Sequence, residues 1–229
     1  MSKIPIITID GPSGVGKGTI SQMLSLELSW NILDSGALYR TLTYLMKLKT
    51  LQLKEFNKNR EKILREFKVS FEATTAGEPV NIFLNHENIT ERIRTEEIAR
   101  ETSELASSKE IRDFIRPIQR EFKRLPGLIA DGRDMGTVIF PEADIKFFLT
   151  ANVEERAKRR QLQLKRDHLE VNMRVLLKEL EERDKKDKER EHSPLIPADD
   201  SILIDTSYLD QNQVLEEVKK EFLRVLKII

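Results

Sequence analysis

The sequence predicts an α/β protein built on a largely parallel sheet with helices on both faces. Three observations point there: short apolar runs rich in β-branched residues, helical patterns between them, and a glycine-rich turn after the first run. Apolar runs of this kind suit strands buried on both faces, and the helices between them supply the crossovers that parallel strands need. Such crossovers are right-handed, which leads to a doubly wound sheet.

The elements follow in order. Residues 4–9 (Ile-Pro-Ile-Ile-Thr-Ile) read as a buried strand ended by Asp10-Gly11-Pro12. Ile20, Leu24 and Leu28, with Met23 alongside, recur at helical spacing. Ile32-Leu33 marks a second strand before Asp34-Ser35-Gly36, and Leu38, Leu42, Leu45 and Leu48 mark the next helix. Three further strand-like runs are Leu128-Ile129-Ala130, Ile145-Lys146-Phe147-Phe148-Leu149 and Ile202-Leu203-Ile204. Val214, Val218, Phe222 and Val225 then give a last helix.

Two stretches break the rhythm. Val69-Ser70-Phe71 and Val80-Asn81-Ile82-Phe83-Leu84 have no helix between them, so a small antiparallel β insert is expected over 68–90. A turn is expected at Asn85 to Asn88. Residues 154–192 are dense in charges of both signs, which on composition alone reads as a pair of solvated helices.

Composition narrows the chemistry. Among 229 residues, 39 Lys+Arg balance 39 Asp+Glu, which argues against a generic nucleic-acid binder, whose affinity rests on surplus cations. There is no cysteine, hence no disulfide framework, Cys-based metal site or thiol nucleophile. His86, His168 and His192 are too scattered to suggest a His-rich metal centre. The apolar start is too short to span a bilayer, so a soluble, cytoplasmic protein is expected, with no membrane partner.

Gly11-Pro12-Ser13-Gly14-Val15-Gly16-Lys17 follows the first strand and opens the first helix. That is a G-x-x-x-x-G-K phosphate loop in the context that gives the motif meaning. Glycines let consecutive backbone N–H groups turn toward an anion, the helix N-terminus adds positive potential, and Lys17 can follow the β- and γ-phosphates. Gly18 stands where a GTPase has its hydroxyl, which arrives at Thr19 instead. The variant is similar to nucleoside monophosphate kinases and points to small-molecule phosphoryl transfer. Two polyanions must then meet, so arginines are required at strand ends; Arg40 and Arg133 are so placed.

Four motifs together closely resemble the bacterial-type cytidylate kinase family across essentially the whole chain. They are residues 11–19, Leu33-Asp34-Ser35-Gly36-Ala37-Leu38-Tyr39-Arg40, Ile129-Ala130-Asp131-Gly132-Arg133-Asp134-Met135-Gly136-Thr137, and Glu182-Arg183-Asp184 with Asp187 and Arg190. The resemblance implies a single-domain P-loop NTPase fold with a five-stranded parallel sheet and two appendages. The core would be 1–35, 105–153 and 193–229; the monophosphate-binding part 36–104, enlarged by the insert; and the lid 154–192.

It also implies Mg²⁺ and ATP as phosphoryl donor, CMP or dCMP as acceptor, and a monomer. Residues 11–19 with Arg156 and Arg160, and Arg159 beside them, would meet ATP. Ser35, Arg40, Arg133 and Arg190 would meet the acceptor phosphate, and Arg183 and Asp187 its sugar. For the base, Asp134 can accept from the N4 amino group and Arg112 can donate to N3 or O2. Ser103 is the third member by resemblance, with Ser107 and Ser108 close by. Lys17, Arg133, Arg190 and Asp131 would serve the transfer itself. Asp131 would hold Mg²⁺ through water or, alternatively, cap the following turn. Rival readings are another small P-loop kinase, for adenylate, uridylate or shikimate, and a nucleotide-binding switch; the Arg112/Asp134 pair and Gly18 weigh against them.

Overall fold

The computed structural model describes residues 3–75, 79–166 and 171–226. His168 and short parts of the expected insert and lid lie outside the described residues. In chain order, β1 (Ile6–Asp10) leads into α1 (Lys17–Leu28), and β2 (Asn31–Asp34) into α2 (Ser35–Leu48) and α3 (Phe56–Glu66). Then come β3 (Val69–Glu72), β4 (Asn81–Leu84), β5 (Glu87–Asn88), α4 (Thr90–Ile93), α5 (Glu96–Leu105) and α6 (Lys109–Arg120). β6 (Leu128–Gly132), β7 (Ile145–Thr150), α7 (Val153–Arg166), α8 (Met173–Glu189), β8 (Ile202–Asp205) and α9 (Gln211–Leu226) complete the described chain.

β1 is the middle strand of a five-stranded parallel sheet ordered β2-β6-β1-β7-β8. Its side chains alternate between two cores. Ile6 packs with Leu33, Leu38, Leu42, Ile115, Leu128 and Ala130 on one side. Ile7 and Ile9 pack with Ile20, Leu24, Ile129, Val214 and Val218 on the other. Each such side chain taken fully out of water contributes roughly 1.5–3 kcal/mol, which favours placing this unbroken run where both faces are covered. The strand begins at Ile6 rather than Ile4, since Pro5 brings no N–H to a ladder.

The insert is a three-stranded antiparallel sheet, β3-β4-β5. Ile82 and Leu84 anchor it in the core beneath α2. The expected turn at Asn85 to Asn88 is shorter: Asn85 and His86 make it, both at positive φ (50° and 70°), and Glu87-Asn88 return to the ladder. Two-residue turns of that hand match strand twist, and the longer expectation missed it because His is an unusual occupant. The charged stretch forms α7 and α8, packed around Ala157, Leu164, Leu176 and Leu180. No helix among the described residues is long and apolar enough to cross a membrane.

Because β2, β6 and β1 are neighbours, their carboxyl ends bring Ser35, Asp131 to Asp134 and the phosphate loop to one edge of the sheet. Open parallel sheets bind ligands at such an edge.

Candidate active site

The phosphate loop hangs from the central strand in a conformation that demands glycine. Gly11 has φ 147°, and a Cβ there would sit 2.2 Å from Leu149 O. Gly16 caps α1 at φ 94° with no side-chain hydrogen bond, so no cap side chain occupies the N–H end of the helix. Lys17 is buried and its Nζ donates to Pro12 O at 2.8 Å. Burial first, then Arg133, pushes its pKa down to about 7, against Asp131 and Asp10. Asp131 lies across from the loop: a Cβ on Gly18 would be 3.4 Å from its Oδ2. Burial lifts that carboxyl to about 7, opposed mainly by Lys17.

Beside the loop lies a cleft lined by Lys17, Asp131 and every residue expected on the acceptor side: Ser35, Arg40, Ser103, Arg112, Arg133, Asp134, Arg183, Asp187 and Arg190. Its cations are partly neutralised by its own carboxylates. Arg133 Nε donates to Asp187 Oδ2 at 2.9 Å, and Arg190 lies 3.8 Å from Asp187 Oδ1. Burial opposes charge on Arg133, but Asp187, Asp131 and Asp10 together raise its pKa. For Asp187 burial likewise opposes charge, yet Arg133, Arg183 and Arg190 bring its pKa down. Arg40 donates to Ile93 O at 3.1 Å, and Arg183 Nε has no hydrogen-bond partner among the described residues. Burial pulls both guanidiniums down to about 10. Arg183 and Asp187 share a face of α8, as the i, i+4 spacing requires.

Arg112 on α6 and Asp134 after β6 pair directly, Nη2 to Oδ2, at 2.9 Å with each side chain 5% exposed. Arg112 also donates to Tyr39 Oη at 3.3 Å and lies over that ring. Its Nε is buried with no hydrogen-bond partner among the described residues. Ser35 accepts from Gln119 Nε2 at 2.8 Å, which leaves the serine's own proton for another acceptor. Ser103 reaches the cleft from α5, whereas Ser107 and Ser108 turn to Glu104 O and Glu110.

The three arginines expected on the lid are placed differently. Arg156 sits at the root of α7, buried, in a fork with Asp184 (2.6 and 3.1 Å), and donates to Ser13 O of the phosphate loop at 3.1 Å. Arg160, one turn on, pairs with Glu96 of α5 and with Gln163. Arg159 is held by Thr206 and Leu209. None of the three lines the acceptor cleft. Sequence reasoning missed Tyr39, Arg94 and Gln119. Tyr39 stood inside a quoted motif, while Arg94 and Gln119 carried no local signal.

A phosphate loop beside an arginine-lined cleft gives two neighbouring places suited to anions. The class so defined is a P-loop phosphotransferase. The sequence profile of the family described as "Cytidylate kinase" matches residues 7–224. The chain belongs to the cytidylate kinase family and is a kinase. It is 47% identical over 220 residues to the cytidylate kinase of Pseudomonas savastanoi pv. phaseolicola, covering 96% of this chain and 95% of that one. The cytidylate kinase of Stutzerimonas stutzeri is 45% identical over 219 residues, 95% of both chains. An uncharacterized protein from Eubacterium ventriosum shares the fold, with TM-score 0.50 and 16% identity over 96% of this chain and 98% of its own.

Proposed function

We propose that the chain phosphorylates CMP and dCMP to CDP and dCDP with ATP, by in-line transfer within one chain, in the cytoplasm. What carries the reading is that all nine expected acceptor residues line one cleft with Lys17 and Asp131. The acceptor's phosphate oxygen attacks the γ-phosphorus of ATP; that bond forms as the bond to ADP breaks. The attacking oxygen is already nucleophilic, so the site's task is positioning and charge neutralisation.

In this reading residues 11–19 hold the donor phosphates and Lys17 follows the transferring group. Ser35, Arg40, Arg133 and Arg190 grip the acceptor phosphate, and Arg183 with Asp187 takes the sugar. Ser103, Arg112 and Asp134 read the base: the amino group of cytosine donates to Asp134, where uracil would bring an oxygen. Arg156 supports the phosphate loop from behind, and Arg160 is positioned to swing toward ATP when the lid moves. The 36–104 and 154–192 segments act as acceptor-binding part and lid on the remaining core.

Magnesium fits the donor end. Asp131 is a buried carboxylate that faces the Lys17 and Arg133 charges, and no cluster of three metal-ligating side chains exists among the described residues. A single carboxylate suits an ion that keeps most of its waters. When bound, Mg²⁺ would neutralise charge on the donor phosphates.

A coupled assay with Mg·ATP against CMP, dCMP, UMP and AMP tests the proposal. CMP and dCMP should give the highest kcat/KM, and Lys17→Met should lower CMP turnover by about 10² or more. Preference for AMP, or near-normal turnover by Lys17→Met, would overturn it.

A further inference from the structure

The proposed reaction accounts for the cations of the cleft, but not for the buried carboxylate behind it. Asp10 ends β1 on the face shared with Ile6 and Thr8 and is 4% exposed. Its side chain reaches out of its own strand. One oxygen accepts from Met135 N at 2.9 Å and the other from Gly136 N at 2.7 Å. Those amides open a π-type turn, Met135–Ile139, and the first amides of any helical turn have no partner inside it. The backbone there lies close against β1: a Cβ on Gly136 would be 2.9 Å from Thr8 Oγ1.

Two residues immediately upstream are Arg133 and Asp134. Gly132 before them is held in the β1–β6 ladder opposite Asp10 itself. The segment is therefore fixed at one end by the sheet and at the other by the Asp10 carboxylate. Between these points only Arg133 and Asp134 project into the cleft. Asp134 has φ −142° and ψ 23°, outside both helix and strand, so its aim depends on what holds the next amides.

We propose that Asp10 is a positioning residue for acceptor recognition: its carboxylate fixes the 133–136 turn so that Arg133 and Asp134 are presented together. This rests on the reading of the cleft as the CMP site. A carboxylate is suited to the task because both of its oxygens accept; an amide would turn an NH₂ group toward one of the two backbone donors. Burial raises the Asp10 pKa to about 6, and the Gly136 and Met135 amides oppose that rise. The same carboxylate follows directly into Gly11, so one residue joins the donor loop to the acceptor-reading turn.

The alternative is a carboxylate that only stabilises the fold. Asp10→Asn separates the two when kcat/KM is measured for CMP and UMP and ATP binding is measured by titration. One backbone donor loses its acceptor, so the CMP KM should rise about tenfold, with the CMP:UMP ratio falling and ATP affinity staying within about twofold. Equal losses on CMP and UMP, or an ATP affinity that falls as far as CMP affinity, would overturn the assignment. Should Asp10→Asn fail to fold, amide hydrogen exchange of the wild-type chain decides. Met135 and Gly136 amides protected as well as those of β1, with and without CMP, support it; exchange at loop rates overturns it. A wild-type chain inactive on CMP would sink the proposed function itself, whereas active wild type beside an indifferent variant sinks only the role of Asp10.

Discussion

At the scale of single residues, the proposed function makes base selectivity turn on Asp134. Its carboxylate already has a buried partner in Arg112, so truncation leaves that guanidinium unpaired as well as removing the acceptor for an amino group. Asp134→Ala should therefore erode the preference for CMP over UMP more than it erodes binding of the phosphate, which the proposal assigns to other arginines. Michaelis constants for both nucleotides measure this; parallel losses would count against it. The sequence shows such residues where chemistry is written locally. Lys17 stands in a fixed loop pattern, and Arg133 and Asp134 follow a strand end. Asp10, Arg94 and Gln119 escape notice because their roles depend on neighbours 126, 14 and 84 positions away, at Gly136, Val80 and Ser35. No spacing rule reaches across such distances.

At the scale of elements, α7 is fastened to the phosphate loop through Arg156. Asp184, Ser13 and Ala151 all accept from this one guanidinium, which is 5% exposed. Removing one partner of a buried pair costs about 3–5 kcal/mol, and because Asp184 is 14% exposed the lower end applies. Arg156→Ala should lower unfolding free energy by about 3 kcal/mol in urea titrations and raise the KM for ATP. A change confined to KM would show that Arg156 has no structural share. Elements were legible where periodicity was strong, as in α1, α2 and α9. α3 was not, because Phe56 and Ile63 are its only buried residues in an otherwise polar helix. α5 was not, because it is short and mixes Thr and Ser into its apolar stripe.

At the scale of the molecule, the five-stranded parallel sheet and the small antiparallel insert were readable because strands, helices and motifs agreed with one another. The tight turn after β4 was not, since its geometry belongs to backbone angles rather than to residue preference. The buried donor end also sets how stability responds to pH. Asp131 and Asp10 rise from the ordinary 3.8 to about 7 and about 6 through burial. The folded chain therefore binds protons that the unfolded chain releases, and their contribution is full below pH 3.8 and lost as pH climbs through those values. Asp131→Asn removes its share of that loss. Its Tm advantage over wild type, without nucleotide, should widen between about pH 4 and 8. A constant gap in thermal scans would refute this.

The pairings of Asp187 with Arg133 and of Asp134 with Arg112 have a consequence beyond catalysis. An empty pocket lined with bare guanidiniums would collect whatever small anion is abundant. Here the pocket is in part its own counter-ion: Asp187 holds Arg133 and Asp134 holds Arg112, while Arg40 and Arg183 carry no such pairing among the described residues. On the proposed function, orthophosphate would replace only part of that internal pairing, while a nucleotide would engage phosphate, sugar and base subsites together. In that reading, part of the discrimination against simple anions comes from the two ion pairs that a nucleotide would separate.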